Sequence, residues 1–196
     1  MTTAAADLAF LAPGFVHQLG NVFFAMQGQV LQADAAAAGP ALQAIAGQLD
    51  RGAAALRLLR HVLGDGGPEP APAGRAVADL ADLLRVSVRE AGHRYEASVD
   101  APAGRMVDLA TFVPATVAAL RVVVLALPTG VPALVRVAWS DVDGRLRLSV
   151  APQAGNLPFA FDAVGAAAAW QQRAAAHDWP WRLLGEGTGL CLASTV

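Results

Sequence analysis

Residues 41–63 read ALQAIAGQLDRGAAALRLLRHVL. Large apolar residues recur in this stretch at alternating steps of three and four, a spacing typical of a helix that packs along a partner helix. One glycine interrupts the series. The series consists of Leu42, Ile45, Leu49, Gly52, Leu56, Leu59 and Leu63. The stretch therefore predicts one helix of a helical bundle.

The preceding segment, residues 3–38, predicts a second amphipathic helix. Pro13 and Gly14 predict a kink or a restart within it, and Gly39-Pro40 predicts a tight turn in which the proline suits the first position of the next helix. Two antiparallel helices cannot bury both apolar seams between themselves. We therefore expect a homodimer in which two hairpins form a four-helix bundle, although the seams can also pack on the rest of the chain. The stripe on the first helix comprises Leu8, Leu11, Phe15, Leu19, Val22, Met26 and Val30.

A Gly/Pro-rich stretch, GDGGPEPAPAG at residues 64–74, marks a boundary, and mixed helix and strand patterns follow it. The order helix, strand, helix, hairpin, helix, hairpin predicts a two-layer α+β sandwich. We expect a helical hairpin domain at residues 1–64, a linker at 65–75 and the sandwich at 76–196. Its helices are expected at 77–88, 109–126 and 165–177, its first strand at 95–99, and its hairpins at 134–139 with 145–150 and at 179–184 with 190–196.

The composition excludes several classes of protein. The chain has 196 residues, 55% of them hydrophobic and 15% charged, so it has ample apolar area for a core and is not intrinsically disordered. All 14 basic residues are arginine, against 16 acidic residues. This balance gives no electrostatic footprint for nucleic acid, and the lack of lysine excludes Schiff-base chemistry. A single cysteine, Cys191, and a start without the positive region of a secretory signal predict a cytoplasmic protein.

The mean hydropathy of +0.44 requires a test for a membrane span. The best candidate, residues 109–135, carries Arg121 near its centre and is interrupted by Pro114 and Pro128. An arginine at the centre of a span costs about 2.5–3.5 kcal/mol on insertion scales. We therefore interpret this stretch as buried core and expect no contact with a membrane.

The stretch GFVHQLGN at residues 14–21 is the candidate for chemistry. His17 lies two residues from apolar seam positions on either side, which is about 200° around a helix, so its side chain is expected to point to solvent. Asn21 lies one turn further along the same face. Gly14 and Gly20 flank the histidine and are expected to leave the backbone bare, as close docking by another protein would require.

These residues resemble the phospho-accepting histidine box of bacterial two-component sensor histidine kinases, in the version His-Asp-hydrophobic-Asn-Asn. Residues 49–59, LDRGAAALRLL, are similar to the second dimerisation helix of those kinases. The predicted sandwich has the element order of their ATP-binding domain. The resemblance implies a dimeric four-helix bundle that carries a phospho-accepting His17.

The resemblance also implies a degenerate nucleotide site, that is, a pseudokinase. The family places asparagines on a helix that matches residues 109–126, but this sequence has no asparagine between Asn21 and Asn156. Its next motif, Asp-x-Gly-x-Gly, matches APQAG at 151–155, which has no acid. GTGLCLA at 187–193 mimics the family's lid motif, but we expect it to form the final hairpin, because the lid is followed by a helix and two more strands. We therefore expect no ATP and no other bound cofactor.

Gln18 stands where sensor kinases carry an acid that resembles a general base. Its amide can accept a hydrogen bond from the imidazole and help to set the tautomer, but it cannot take a proton. A neutral imidazole is nevertheless a competent nucleophile towards an aspartyl phosphate. This combination resembles the dimeric histidine phosphotransferases, in which the histidine accepts a phosphoryl group from the aspartate of one receiver domain and returns it to another. The receiver supplies the Mg²⁺ for that transfer.

We therefore expect a relay through His17 between response-regulator receivers, without autokinase activity. Two alternatives stay open: a non-catalytic dimeric module that binds a receiver, and a receiver phosphatase in which Asn21 orients water. Phe24, two turns beyond His17, either anchors a partner or packs under the second domain.

The less specific interpretations are that His17 is an incidental surface histidine and that Asn21 is a solvated helix residue. The other histidines show no metal-ligand spacing, so we expect no metal site. Arginines on the second helix are expected on its solvated face, or in contact with the acidic site of a receiver. The histidines are His61, His93 and His177, and the arginines are Arg51, Arg57 and Arg60. Three tryptophans, Trp170, Trp179 and Trp181, are expected in the core.

Overall fold

A computed structural model describes residues 3–32, 38–102, 104–155, 157–186 and 188–195. It contains an N-terminal helical hairpin followed by an α/β unit, which confirms the predicted fold class. The elements are α1 (Thr3–Gln32), α2 (Ala38–Leu63), β1 (Pro70–Pro72), α3 (Ala73–Glu90), β2 (Arg94–Asp100), β3 (Met106–Asp108), α4 (Leu109–Ala126), β4 (Leu134–Val142), β5 (Arg145–Ala154), β6 (Leu157–Pro158), α5 (Ala163–Ala176), β7 (Trp181–Glu186) and β8 (Leu190–Ser194). The predicted helix over 33–37, Gly187 of the lid-like motif and the predicted strand end at Val196 lie outside the described residues.

The hairpin differs from expectation at two points. Helix α1 continues through Pro13 without a restart. The tight turn predicted at Gly39-Pro40 does not lie there, because both residues are in the first turn of α2; Pro40 is close to the helix start, as expected, where its missing N–H has no helical partner to lose. Gly52 is buried against α1, and a Cβ there would make an ordinary van der Waals contact, 3.5 Å from Cγ1 of Val22, so the helices do not require a glycine at this position.

The main sheet has the strand order β2-β4-β5-β8-β7, with β6 paired to β5. The β2–β4 pair is parallel and the others are antiparallel. Both predicted hairpins are confirmed. The turn between β4 and β5 has positive φ at Asp143 (55°) and Gly144 (73°), which is the requirement of a two-residue type I′ hairpin. A separate two-stranded ladder joins β1 to β3.

Helices α3, α4 and α5 form the layer that packs on this sheet. The most buried of them is α4, in which every residue from 112 to 120 is buried. Two helical stretches, Ala4–Gln32 and Leu109–Ala126, are long and apolar enough to span a membrane by length and composition, and the second is mostly buried within the fold. Trp170 and Trp181 are buried as predicted, whereas Trp179 is only half-buried.

The hairpin lies directly against the helical layer. The carboxylate of Asp7, on α1, is completely buried and pairs with Arg121 of α4 (2.7 Å from Oδ1 to Nε) and with Arg173 of α5. The segment predicted as a linker is held as well: Oε2 of Glu69 lies 3.0 Å from Nε2 of His61. The Asp7 pairs tie α1 to α4 and α5, and the His61–Glu69 contact ties α2 to the segment before β1.

Candidate functional site

The imidazole of His17 is exposed on α1, and its Nε2 lies 3.0 Å from Nδ2 of Asn21. An amide nitrogen can only donate a hydrogen bond, so Nε2 is the acceptor. In a neutral imidazole the ring proton then resides on Nδ1, and the lone pair resides on Nε2. Asn21, one helical turn away, therefore selects the Nδ1–H tautomer, in which the lone pair lies on Nε2 and accepts from Nδ2 until that hydrogen bond breaks.

This arrangement changes the role expected for Gln18. Its side chain is half-buried and borders the same cleft as His17, but the partner of the histidine ring among the described residues is Asn21. The spacing of four residues between His17 and Asn21 places their side chains one above the other, whereas the adjacent residue projects about 100° away around the helix.

A cleft of about 320 Å³ opens beside His17, between α1, α2 and α3. Its α3 wall comes from the sandwich, not from the hairpin, and sequence reasoning missed this contribution. The spacing of the wall residues by three, four and seven shows that they share one face of α3. The lining comprises His17, Gln18, Asn21 and Val22 of α1, Gln48 and Arg51 of α2, and Asp82, Arg85, Val86 and Arg89 of α3.

The cleft is cationic. It is lined by three arginines and one aspartate, a formal charge of +2 with histidine neutral. Arg85 and Asp82 form an exposed ion pair at 3.3 Å. The side chains of Arg51 and Arg89 have neither an ion-pair nor a hydrogen-bond partner among the described residues, and both are exposed.

The two glycines beside His17 have different surroundings. Gly14 is buried, and a Cβ there would overlap the backbone carbonyl of Leu83 on α3. The sequence predicted that Gly14 bares the backbone for a partner, and this is wrong. Gly14 instead lets α1 and α3 approach each other closely beside the cleft. At Gly20, by contrast, a Cβ would meet nothing within 4 Å, so this glycine leaves the backbone beside Asn21 open.

Phe24 is 75% exposed, which removes the alternative that it packs under the sandwich. It lies seven residues beyond His17, and Leu31, a further seven residues along, is 78% exposed. Residues at this spacing lie close to one line along a helix. Two exposed apolar side chains thus lie along α1 on the same side as His17.

The remaining histidines have structural surroundings. His61 is buried against Glu69, and His177 stacks on the ring of Trp179. Nδ1 of the buried His93 accepts a hydrogen bond from the backbone N–H of Ala133 (3.3 Å), and burial lowers its pKa below the ordinary value. Among the described residues, no three metal-ligating side chains lie close enough together to hold an ion.

Arginines of α2 have three different roles. Arg57 is half-buried and bridges to Asp79 of α3 (3.3 Å), so it is not simply on the solvated face. Arg60 is exposed and donates a long hydrogen bond, 3.5 Å, to the backbone carbonyl of Asp65. Arg51 alone of the three borders the His17 cleft.

The stretches that resemble nucleotide motifs lie in one mostly buried helix and in two strands of the sheet. Helix α4 presents buried side chains in its central turns, and the stretch matching the acidic motif ends strand β5. The described part of the lid-like motif is strand β8 and the residues that lead into it, as expected for a final hairpin. Gly189 is required there because a Cβ would overlap the carbonyl of Val150 on β5.

No protein-family model matches this sequence, and no curated protein is significantly similar to it. Solved structures do match it. A bacterial phosphotransferase is 16% identical, with 99% of this chain and 98% of that chain covered and a TM-score of 0.39. Full-length ShkA in complex with AMPPNP is 14% identical (98% and 46% covered, TM-score 0.46), and the catalytic domain of the histidine kinase ThkA is 11% identical (65% and 93% covered, TM-score 0.45). Likeness at this level transfers no function to the chain.

Proposed function

We propose that this protein is a histidine phosphotransferase that relays phosphoryl groups between response-regulator receiver domains in the cytoplasm. The observation that carries the proposal is the exposed imidazole of His17, whose Nε2 lone pair is fixed by Asn21 at the edge of an open cationic cleft. Such a group is accessible to the aspartyl phosphate of a visiting protein. It is also held in the tautomer that nucleophilic attack requires.

In the proposed reaction, Nε2 of His17 attacks the phosphorus of a receiver aspartyl phosphate. The P–Nε2 bond forms as the P–O bond to the aspartate breaks, and the carboxylate leaves. The reverse step passes the phosphoryl group to the aspartate of a second receiver. The receiver's Mg²⁺ would neutralise charge on the transferred group, while this chain contributes a positioned nucleophile and a docking surface.

Two features support transfer without autokinase activity. Gln18 cannot act as the general base that the resemblance assigns to an acid at its position. Helix α4 carries no asparagine, and its central side chains are buried, so it offers no polar face to a nucleotide or its metal. We expect ATP with Mg²⁺ to leave the melting temperature unchanged; a rise would show that the sandwich binds nucleotide.

We further propose that the protein is a homodimer through the hairpin. On α2, Leu42, Leu49 and Leu56 recur every seven residues and are 66%, 54% and 49% exposed. On α1, Val16 and Phe23 repeat the same spacing and are 74% and 67% exposed. A single hairpin leaves both stripes in water, whereas a second copy would bury them in a four-helix bundle.

The dimer is tested by light scattering coupled to size exclusion at micromolar concentration. Wild type should have twice the mass of one chain. Leu49→Glu with Leu56→Glu should run as a monomer, because two carboxylates per chain would be buried in the seam. Gln43→Glu, an exposed substitution on the same helix, should remain dimeric. A monomeric wild type would contradict the proposal.

The relay is tested with a panel of isolated receiver domains phosphorylated by acetyl phosphate. Acid-labile label should move to the wild-type protein and should be absent from His17→Ala, while His177→Ala, which removes another exposed histidine, should be labelled normally. No label from any receiver would overturn the relay in favour of a binding module. Faster loss of receiver phosphate without labelled protein, abolished by Asn21→Ala, would instead identify a receiver phosphatase.

A further inference from the structure

We propose that Arg51 and Arg89 form a clamp for the phosphoryl group that His17 carries. The inference rests on the proposed function, since it concerns the phosphorylated state of the same histidine. It assigns a role in that state to α3, a helix of the sandwich, and so gives a domain that we expect not to bind ATP a direct part in the chemistry.

The two arginines come from different helices that border the cleft. Arg51 lies on α2 and Arg89 on α3, and both border the same space as the imidazole of His17. Neither guanidinium has a partner among the described residues, so neither is committed to holding the fold together. Two unpaired cations that border one cleft beside the imidazole favour a site for an anion over two incidental surface charges.

The charge and geometry of the clamp suit a phosphoryl group. A protein-bound phosphoryl group brings about two negative charges near neutral pH. The net formal charge of the cleft is +2. Arg85 is paired with Asp82, so this charge resides on Arg51 and Arg89. The planar guanidinium fork donates two parallel hydrogen bonds to phosphoryl oxygens.

Asn21 has a place in the same state. When Nε2 bonds to phosphorus, it loses the lone pair that now accepts from Nδ2 of Asn21. The amide is then free to donate to a phosphoryl oxygen. The three donors would surround the group while one side of the cleft stays open to a receiver.

Acidic side chains of a receiver are a second source of negative charge for these arginines. The two sources are separated by phosphorylating His17 without any receiver. N-phosphoimidazole exchanges its phosphoryl group with His17: the P–N bond to imidazole breaks, the P–Nε2 bond forms, and imidazole leaves with one proton, which balances the proton that the phosphorylated ring gives up from Nδ1. One P–N bond is broken and one P–N bond is formed. The equilibrium constant therefore compares the surroundings of the phosphoryl group on His17 with those on free imidazole in water.

The experiment measures this exchange constant by ³¹P NMR for folded wild type and variants. Arg51→Gln and Arg89→Gln should each lower it about 1.5- to 5-fold, the range for an exposed ion pair, and the double variant should lower it further. Arg60→Gln removes the same charge from α2 outside the cleft and should leave the constant unchanged. At about 1 M salt, where screening acts over about 3 Å, the differences should shrink.

The clamp is overturned if the Arg51 and Arg89 variants match wild type, if Arg60→Gln lowers the constant as much as they do, or if His17 takes up no phosphoryl group. Its failure is distinguishable from failure of the relay. Transfer from receivers with an arginine-independent exchange constant would retain the relay and remove the clamp. An arginine-dependent exchange constant without transfer from any receiver would retain the clamp and remove the relay.

Discussion

Two groups of arginines from other helices lie beside α1, and their surroundings differ: one group is buried around a carboxylate, and the other is exposed. Near the start of the helix, Arg121 and Arg173 enclose the fully buried carboxylate of Asp7. Nearly three turns further along, Arg51 and Arg89 stand exposed and unpaired, among the described residues, beside His17. The first group has its anion within the chain, whereas the second is the one for which we propose a phosphoryl group as the anion.

The buried group positions elements and adds little surplus stability. Burial raises the pKa of Asp7, against the opposing attraction of Arg173 and Arg121. Burial likewise lowers the pKa of Arg173, against the attraction of Asp7. Desolvation outweighs pairing in both, as is common for buried ion pairs. The cluster joins α1 to α4 and α5, on the N-terminal side of the contact that Gly14 makes with α3 beside the cleft.

The largest effect is expected when the buried group loses its anion. Asp7→Ala leaves two cations facing each other in the interior, and we expect it to lower the free energy of unfolding by about 3–5 kcal/mol in urea denaturation. Arg89→Gln, in the open group, should change it by no more than about 0.5 kcal/mol.

A triple replacement sharpens this test. Substituting Asp7, Arg121 and Arg173 together by apolar residues of similar volume should recover most of the loss, because no unpaired charge remains buried. If Asp7→Ala were no more destabilising than Arg89→Gln, the contrast between a structural and a ligand-binding group of arginines would fail.

An intermediate effect is expected at the glycines that flank His17. Gly14→Ala forces a methyl group into the Leu83 carbonyl of α3 and should cost about 1–3 kcal/mol. Gly20→Ala meets nothing within 4 Å and should stabilise α1 by about 0.5–1 kcal/mol. Thermal unfolding monitored by circular dichroism distinguishes the two. Equal effects of the same sign would show that α1 does not pack on α3 through Gly14.

Sequence patterns predicted most of the elements because their causes are local. The alternation of apolar residues around Asp143-Gly144 contains its own turn chemistry, and the hairpin formed as expected. Strands β1 and β3 were missed because each is only three residues long, too short for alternation to show. The exposure of His17 followed from its angle to the apolar stripe of a single helix.

The surroundings of His17 were harder to predict because they are brought together over long distances. Arg89 is separated from His17 by most of the hairpin and the whole of the predicted linker, and no local pattern pairs them. Asp7 pairs with Arg121 across 114 residues. From the sequence alone, Arg121 only argued against a membrane span, and nothing indicated its partner. Contacts of this kind depend on how the hairpin docks, which local periodicity does not encode.

The smallest effect is expected from His93, a buried group outside both arginine groups. Because burial lowers its pKa below 6.5, the unfolded chain binds a proton more readily than the folded one between the two pKa values. His93 therefore makes stability rise with pH across that window and fall as the pH drops below about 6.5. Protonating Nδ1 would also break its hydrogen bond from Ala133. In urea denaturation from pH 8 to pH 5, His93→Gln should run parallel to wild type above pH 7 and lose less stability below it. Parallel curves over the whole range would show that His93 takes up protons equally in the folded and the unfolded state. Any pH dependence of stability would then come from other titratable groups.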